Sequence, residues 1–82
     1  MKLEILTPDA IIFNGEVERV AFPGIGGGFE ILKGHAPLIS ALKEGKIKVT
    51  ASSNITNYEI TGGFVEVLNN TLTVLVEGTK KA

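Results

Sequence analysis

The sequence predicts an all-β domain, a β-sandwich or flattened barrel with about nine short strands recognisable from the pattern. Polar and apolar residues alternate with a period of two along most of the chain, as they do on strands that bury one face. Turn-forming residues recur at short intervals between these runs. Nowhere do apolar residues recur at helical spacing over about 11 residues, the window that a helix prediction requires.

The first strands are predicted on either side of two turn signals. Residues 2–7 alternate and stop at Pro8, which predicts an edge strand. Asn14-Gly15 lies between the β-favouring residues 10–13 and 16–22 and predicts a hairpin, because a type I′ turn needs positive φ at both central residues. Residues 22–42 hold five of the ten glycines and two of the three prolines, which predicts two sharp turns around a short strand at residues 29–32.

The middle of the chain predicts a buried strand followed by an amphipathic one. Residues 38–42 are apolar on both faces, as in a buried strand. Lys43-Glu44-Gly45 is predicted as a three-residue hairpin loop with Gly45 in the left-handed region. Residues 46–50 then alternate, which points Ile47 and Val49 toward the core and the lysines toward water.

Two further turns organise the last third of the chain. After a turn at residues 51–54 and a strand at 55–61, Gly62-Gly63 predicts a bulge or a corner where the chain passes between sheets. Asn69-Asn70 predicts a two-residue hairpin turn between strands at residues 64–68 and 71–76. We therefore expect one sandwich domain over residues 1–78 and a polar, frayed tail over residues 79–82.

Composition excludes several classes of protein. A chain of 82 residues with 44% hydrophobic content has one thin core and no room for a deep catalytic cavity. Its 8 basic and 9 acidic residues give a net charge of -1, which argues against a nucleic-acid-binding surface. Cysteine is absent, and no apolar run approaches the roughly 20 residues that span a bilayer.

Candidate chemical sites are few. The glycine run at residues 24–28 is interpreted as a tight turn and not as a phosphate loop, because β-like sequence follows it where such a loop needs a helix. His35, the single histidine, has three possible roles: a structural turn residue, an interface contact or, least favoured, a catalytic group with Asp9. The glutamates fit solvated sheet faces. No nucleotide, metal or other cofactor is expected.

Several motifs in order carry a resemblance to a known family. Leu3-Glu4-Ile5-Leu6-Thr7-Pro8, Phe13-Asn14-Gly15-Glu16-Val17, Gly34-His35-Ala36-Pro37-Leu38, Gly62-Gly63-Phe64-Val65-Glu66-Val67 and Val74-Leu75-Val76 stand in the order and spacing of one family. On these motifs, which cover almost the whole chain, the sequence resembles the epsilon subunit of the bacterial rotary proton-translocating ATP synthase.

The resemblance implies a ten-stranded sandwich of two sheets that acts without chemistry of its own. Such a subunit is seated in the central stalk, binds the gamma subunit and the membrane c-ring, and turns with them. It helps couple proton flow to ATP synthesis, and it meets the catalytic head only indirectly. The expected location is the cytoplasmic face of the bacterial inner membrane, as a peripheral protein held there through the complex.

The resemblance also implies contact residues. His35 matches the family histidine that faces the polar loops of the c-ring. Positions that are commonly acidic in the preceding loop align with Gly26 and Gly28, while Glu30 falls where the family usually has a small residue. The expected c-ring contacts are therefore Gly28, Glu30 and His35, with Glu30 in place of the family acid. The resemblance does not identify the residues that face gamma.

The chain departs from the family pattern at its C-terminal end. Family members commonly continue into a hairpin of two helices that inhibits ATP hydrolysis, whereas this sequence reaches Ala82 soon after the last predicted strand. The expectation is a domain that couples without inhibiting, as a naturally short form or as a trimmed chain.

The alternative function is a free-standing β-sandwich module that binds a peptide or a glycan through the same turns. With no Trp and one Tyr, the chain offers few stacking rings for a carbohydrate, which favours the rotor role.

Overall fold

The computed structural model describes residues 1–81, which form ten β-strands and no helix. The strands are β1 (Lys2–Leu6), β2 (Ile11–Glu16), β3 (Arg19–Gly24), β4 (Gly27–Leu32), β5 (Leu38–Leu42), β6 (Gly45–Ala51), β7 (Asn54–Ile60), β8 (Gly63–Leu68), β9 (Thr71–Val76) and β10 (Thr79–Lys81). The all-β prediction is confirmed.

One hydrogen-bonded sheet curls into two layers. The order β4-β3-β6-β7-β10 forms one layer and β5-β8-β9-β1-β2 forms the other. Between β3 and β5, the layers share a single register position, Gly24 opposite Leu42. The Ile25 N–H donates to the Ala41 carbonyl at 3.1 Å and the Lys43 N–H to the Pro23 carbonyl at 2.9 Å, which extends that junction by two hydrogen bonds.

The core lies between the two layers. From the first layer it receives Val20, Phe22, Ile31, Ile47, Val49, Tyr58 and Ile60, and from the second Leu3, Ile5, Leu42, Val65, Val67, Leu72, Val74 and Val76. Phe13 of β2 packs edge-on against Tyr58 of β7, with ring centroids 6.3 Å apart, so the layers meet face to face. Burial of each aliphatic side chain contributes roughly 1.5–3 kcal/mol.

β1 is an interior strand, which corrects the expectation of an edge strand. It pairs with β2 on one side and, in parallel, with β9 on the other, and Leu3 and Ile5 are both fully buried. Its sequence alternates as an edge strand's does, because only one face is buried. The second neighbour is a long-range partner that local pattern cannot specify.

The predicted hairpin at Asn14-Gly15 is wrong. β2 runs straight through these residues, with Asn14 opposite Glu4 and Gly15 opposite Leu3, and neither has positive φ. Pairing with β1 therefore overrides the local turn preference. The chain changes layer just afterwards, where the Val17 N–H donates to the Met1 carbonyl and the Glu18 N–H to the Thr50 carbonyl, both at 2.8 Å.

The predicted hairpin loop at residues 43–45 is also wrong. β5 and β6 lie in different layers, and Gly45 opens β6 without positive φ. Glycine is needed there for space, because a Cβ on Gly45 would lie 2.8 Å from the Pro23 Cβ. β5 is not the buried strand that was expected, since Ile39 is 73% exposed.

Two other turn predictions are confirmed. Asn69 and Asn70 have φ values of 50° and 60°, as a type I′ hairpin turn requires. Gly62-Gly63 joins β7 to β8 across the two layers, with φ values of 154° and 159°. A side chain on Gly63 would collide with the Leu75 carbonyl oxygen and approach the Val76 Cα at 3.0 Å.

The C-terminal residues correct the expectation of a frayed tail over 79–82. Thr79–Lys81 form β10, antiparallel to β7, and the Thr79 hydroxyl donates to the Glu59 carbonyl at 2.9 Å. Their sequence is polar because the strand lies at the edge of its layer, where one side is exposed to solvent. Ala82 of the predicted tail lies outside the described residues.

We expect Gly63→Ala to lower the free energy of unfolding by about 2–4 kcal/mol, because the new methyl group overlaps backbone atoms of β9 at a strained φ. Urea denaturation followed by circular dichroism measures this change. Gly78→Ala is the matched control, since a Cβ there meets nothing within 4 Å. Equal stability of the two variants would contradict a steric requirement at the corner.

Candidate protein-docking surfaces

The β3–β4 hairpin is built by the glycine run. Ile25 and Gly26 form the turn between the paired residues Gly24 and Gly27. A Cβ on Gly24 would lie 2.6 Å from the Gly27 carbonyl oxygen, so the two strands approach too closely there for any side chain. The run extends from the end of β3 into the start of β4, so it is followed by a strand and not by a helix N-terminus that could hold a phosphate.

β4 presents one row of residues outward at the edge of its layer. Phe29 and Ile31 point toward the core, while Gly28, Glu30 and Leu32 are exposed on the opposite face. Among the described strands β4 pairs with β3 alone, so its other edge is open. A Cβ on Gly28 would contact only the Phe22 carbonyl oxygen, at 3.6 Å, which leaves room for a larger side chain.

His35 lies in the turn after β4, and hydrogen bonds fix its position. Gly34 has a φ of 82°, and the His35 N–H donates to the Leu32 carbonyl at 3.1 Å. The Gly34 N–H donates to the Asn70 side-chain oxygen at 3.2 Å, which ties this turn to the β8–β9 turn. Both turns therefore belong to one end of the sandwich.

The imidazole of His35 is exposed and oriented by its neighbour. Nδ1 lies 2.7 Å from the Ala36 carbonyl oxygen, which can only accept, so Nδ1 carries the hydrogen. Nε2 of the neutral ring is left as an acceptor for a group on another molecule. Neither a serine nor a carboxylate hydrogen-bonds to this ring among residues 1–81, so its surroundings are those of a turn and not of a catalytic dyad.

The three residues expected to contact the c-ring do not form one compact cluster. Glu30 and His35 lie toward the same end of the sandwich, separated along the chain by Leu32 and the turn. Gly28 is opposite Pro23, close to the far end of β4. We call the set of Gly28, Glu30, Leu32 and His35 the β4 surface.

The second surface, which the sequence analysis did not identify, is a row of apolar side chains on the outer face of the other layer. At successive register positions Ala41 of β5 lies beside Phe64 of β8, then Leu75 of β9, Leu6 of β1 and Ile11 of β2. Phe64, Leu75 and Ile11 are 58%, 53% and 63% exposed. We call these five residues the apolar row.

The apolar row borders a shallow depression at the end of the sandwich opposite His35. The depression has a volume of about 540 Å³, and Ile25 at the tip of the β3–β4 hairpin also lines it. An exposed apolar patch of this kind on a small domain is typical of a protein-docking site. The sequence contains a signal for this surface: Phe64 and Leu75 are apolar at outward-facing positions, whereas the next outward-facing positions on the same strands, Glu66 and Thr73, are polar. The row becomes visible only when five strands are aligned.

Residues 1–81 provide little evidence for a metal site or a membrane-spanning helix. No group of three or more metal-ligating side chains is present in that part of the chain. Burial raises the pKa of Tyr58, whose ring packs in the core against Phe13. As for membrane spans, none of the described secondary structure is a helix of the required length and hydropathy.

Comparison with known proteins gives one consistent family. The family model described as "ATP synthase, Delta/Epsilon chain, beta-sandwich domain" matches residues 1–82. The chain is 47% identical over 77 residues to the ATP synthase epsilon chain of Chlorobium limicola, covering 93% of this chain and 88% of the relative. It is 40% identical over 82 residues to the chloroplastic epsilon chain of Cyanidioschyzon merolae, covering 100% of this chain and 63% of that one.

Solved structures support the fold. A chain in the cryo-EM structure of the Euglena gracilis mitochondrial ATP synthase (OSCP, F1 and c-ring) superposes with a TM-score of 0.91 at 22% identity, over 96% of this chain and 51% of that one. A chain in the central stalk and c-ring structure of the Tetrahymena thermophila mitochondrial ATP synthase superposes with a TM-score of 0.85 at 20% identity, over 96% of this chain and 64% of that one. The predicted β-sandwich is thus confirmed.

The sequence relatives confirm the resemblance on which the sequence analysis relied. Both named relatives are epsilon chains, which are non-catalytic subunits of the ATP synthase, so the prediction that the chain is not an enzyme is confirmed as well. With the family model matched from end to end, the chain belongs to the delta/epsilon-chain β-sandwich family of the ATP synthase.

Proposed function

We propose that the chain is a central-stalk subunit of the rotor, which binds the gamma subunit and the membrane c-ring and helps couple proton flow to ATP synthesis. The observation that carries the proposal is the apolar row, a rigid exposed stripe across five strands. A subunit that transmits torque must be held firmly by its partners. An exposed apolar stripe is better suited to burial in a permanent protein contact than to exposure to water.

The apolar row is the proposed gamma-docking surface. Phe64, Leu75 and Ile11 are each more than half exposed, so a partner can remove substantial apolar area from water there. Each Å² buried contributes about 25 cal/mol. The three central strands under the row, β8, β9 and β1, are paired with neighbours on both sides, so little conformational entropy is lost there on binding.

The β4 surface is the proposed c-ring-docking surface. Glu30 supplies a carboxylate without an ion-pair partner among the side chains of residues 1–80, and His35 presents Nε2 from a turn held by Asn70. An exposed ion pair contributes only about 0.2–1 kcal/mol, so the shape of the turn matters as much as charge. Gly28 has no side chain, so a partner can approach its backbone closely, but it lacks the carboxylate that the family commonly has at this position.

The two surfaces lie on different layers of the sandwich, so both can be occupied at once. The apolar row faces outward from the β5-β8-β9-β1-β2 layer, whereas the β4 surface lies on the edge strand of the other layer and the adjoining turn. The domain could therefore bridge the gamma subunit and the c-ring. In a bacterium, the subunit would sit on the cytoplasmic face of the inner membrane and be held there by the c-ring without entering the bilayer.

The proposed role is tested by affinity purification of the tagged chain from gently solubilised membranes of its host. We expect mass spectrometry to find gamma, the c-ring and the catalytic subunits with it. Recovery of a folded chain with none of these would contradict the rotor role. It would favour the alternative, a free-standing β-sandwich module that binds a peptide or a glycan through its turns.

Leu75→Ser should weaken gamma binding about tenfold, because the partner then buries a polar group in place of a half-exposed leucine. Titration of the chain with purified gamma subunit measures the change. Ile55→Ser is the matched control, since Ile55 is 55% exposed, as against 53% for Leu75, but faces outward from the other layer. Similar losses in both variants would remove the apolar row from the gamma contact.

His35→Ala should leave the melting temperature unchanged and weaken attachment to the c-ring by about three- to tenfold, because one directed hydrogen bond is lost. The amount of chain retained on immobilised c-ring measures attachment. Lys33→Ala changes another exposed side chain in the same turn and serves as control. Full retention of His35→Ala would exclude His35 from the contact.

A further inference from the structure

Carboxylates lie on both sides of the apolar row. The neighbouring row along the same five strands contains Ile39, Glu66, Thr73, Glu4 and Asn14. Glu66 is exposed and Glu4 half-buried, and neither pairs with a cation among the side chains of residues 1–80, where the ion pair found joins the Met1 amine to Glu16. On the other side, Glu77 is the charged residue that lines the depression beside the apolar row.

The basic side chains lie mainly on the opposite layer. The outer face around the apolar row holds one cation, Lys2, against three carboxylates, those of Glu4, Glu16 and Glu66. The outer face of the other layer holds four cations, Arg19, Lys46, Lys48 and Lys80, against the two carboxylates of Glu30 and Glu59. The chain is nearly neutral overall, yet the two faces have opposite signs.

The dimensions of the apolar row match an α-helix. Strands lie about 4.8 Å apart, so five strands span about 19 Å, which is the length of a helix of roughly 13 residues. The spacing of side chains along the row is close to the helical pitch of about 5.4 Å. Glu4 and Glu66 are two residues along their strands from the row, about 7 Å away, where the flank of a crossing helix would lie.

We propose that the apolar row binds an amphipathic helix that crosses the strands and carries lysine or arginine on the flanks of its apolar stripe. The apolar stripe supplies burial, and the flanking cations meet Glu4 and Glu66 on one side and Glu77 on the other. The inference rests on the proposed function in one respect: the helix is assigned to the gamma subunit. Acidic flanks on the row exclude a partner helix with acidic flanks, because like charges would face each other on both sides.

Two synthetic peptides of 14 residues test the inference on the full chain. Both carry leucines at i, i+3, i+7 and i+10, and the flanking positions are lysine in one and glutamate in the other. We expect the lysine peptide to bind at least about tenfold more tightly at low salt, with an affinity that falls as salt screens the charges. Amide chemical-shift changes should fall on β1, β8 and β9.

Charge-neutral variants supply the control. The double variant Glu4→Gln and Glu66→Gln should reduce the preference for the lysine peptide to about threefold or less. Glu30→Gln with Glu59→Gln, on the opposite layer, should leave the preference unchanged. Equal affinity for the two peptides, binding of neither, or shift changes on the other layer would each overturn the inference.

The outcomes separate this inference from the proposed function. If the chain recovers gamma from membranes but does not discriminate between the peptides, the rotor role is retained and the helix with basic flanks is rejected. If the peptides are discriminated as expected but gamma is not recovered, the chemistry of the apolar row is retained and the assignment of its helix to gamma is rejected.

Discussion

The junction between β3 and β5 is the constraint on which the rest of the structure depends. One edge of β3 is occupied by β4 along its whole length, so β6 and β5 must share the other edge. The Gly24–Leu42 pair and the two hydrogen bonds beside it turn one continuous sheet into two facing layers. Without that fold in the sheet, Phe13 could not reach Tyr58 and the inner faces of both layers would remain in water.

The junction also determines where the two proposed docking surfaces lie. It leaves β4 at the open edge of one layer, with the His35 turn attached to its end, and it leads β5 into the other layer beside β8. The apolar row begins at Ala41, next to the junction, and its depression is lined by the tip of the β3–β4 hairpin. Both proposed contacts are therefore built on backbone that the core holds in place, as the proposed rotor role requires.

Local sequence predicted the strands well and their partners poorly, for a physical reason. Asn14-Gly15 and Asn69-Asn70 carry the same turn signal, but only the second adopts positive φ, because β1 holds residues 14 and 15 in an extended strand. The alternation of Ile47 and Val49 was enough to assign them to the core, whereas β5 appeared buried on both faces and is not. Which strand lies beside which depends on contacts far apart in sequence.

The same limit applies to the functional surfaces. His35, Glu30 and Gly28 were predicted as contacts from a family resemblance that can be followed along the chain, and the structure leaves all three exposed. The apolar row could not be found in this way, because its five residues come from five strands and each, taken alone, is an unremarkable apolar residue in a β-strand. The carboxylates beside the apolar row could not be found from local sequence either, because strand register brings them together and they do not form a charge run.

The parallel pairing of β1 with β9 has a consequence for how the chain acquires its structure. Lys2 lies opposite Thr71 and Leu6 opposite Leu75, so the first strand to be synthesised finds its interior neighbour only after almost the whole domain has been made. Until then Leu3 and Ile5 have no closed core to enter. Such a high contact order favours slow folding, during which a pair formed early by β1 and β2 is exposed to aggregation until β9 has been made.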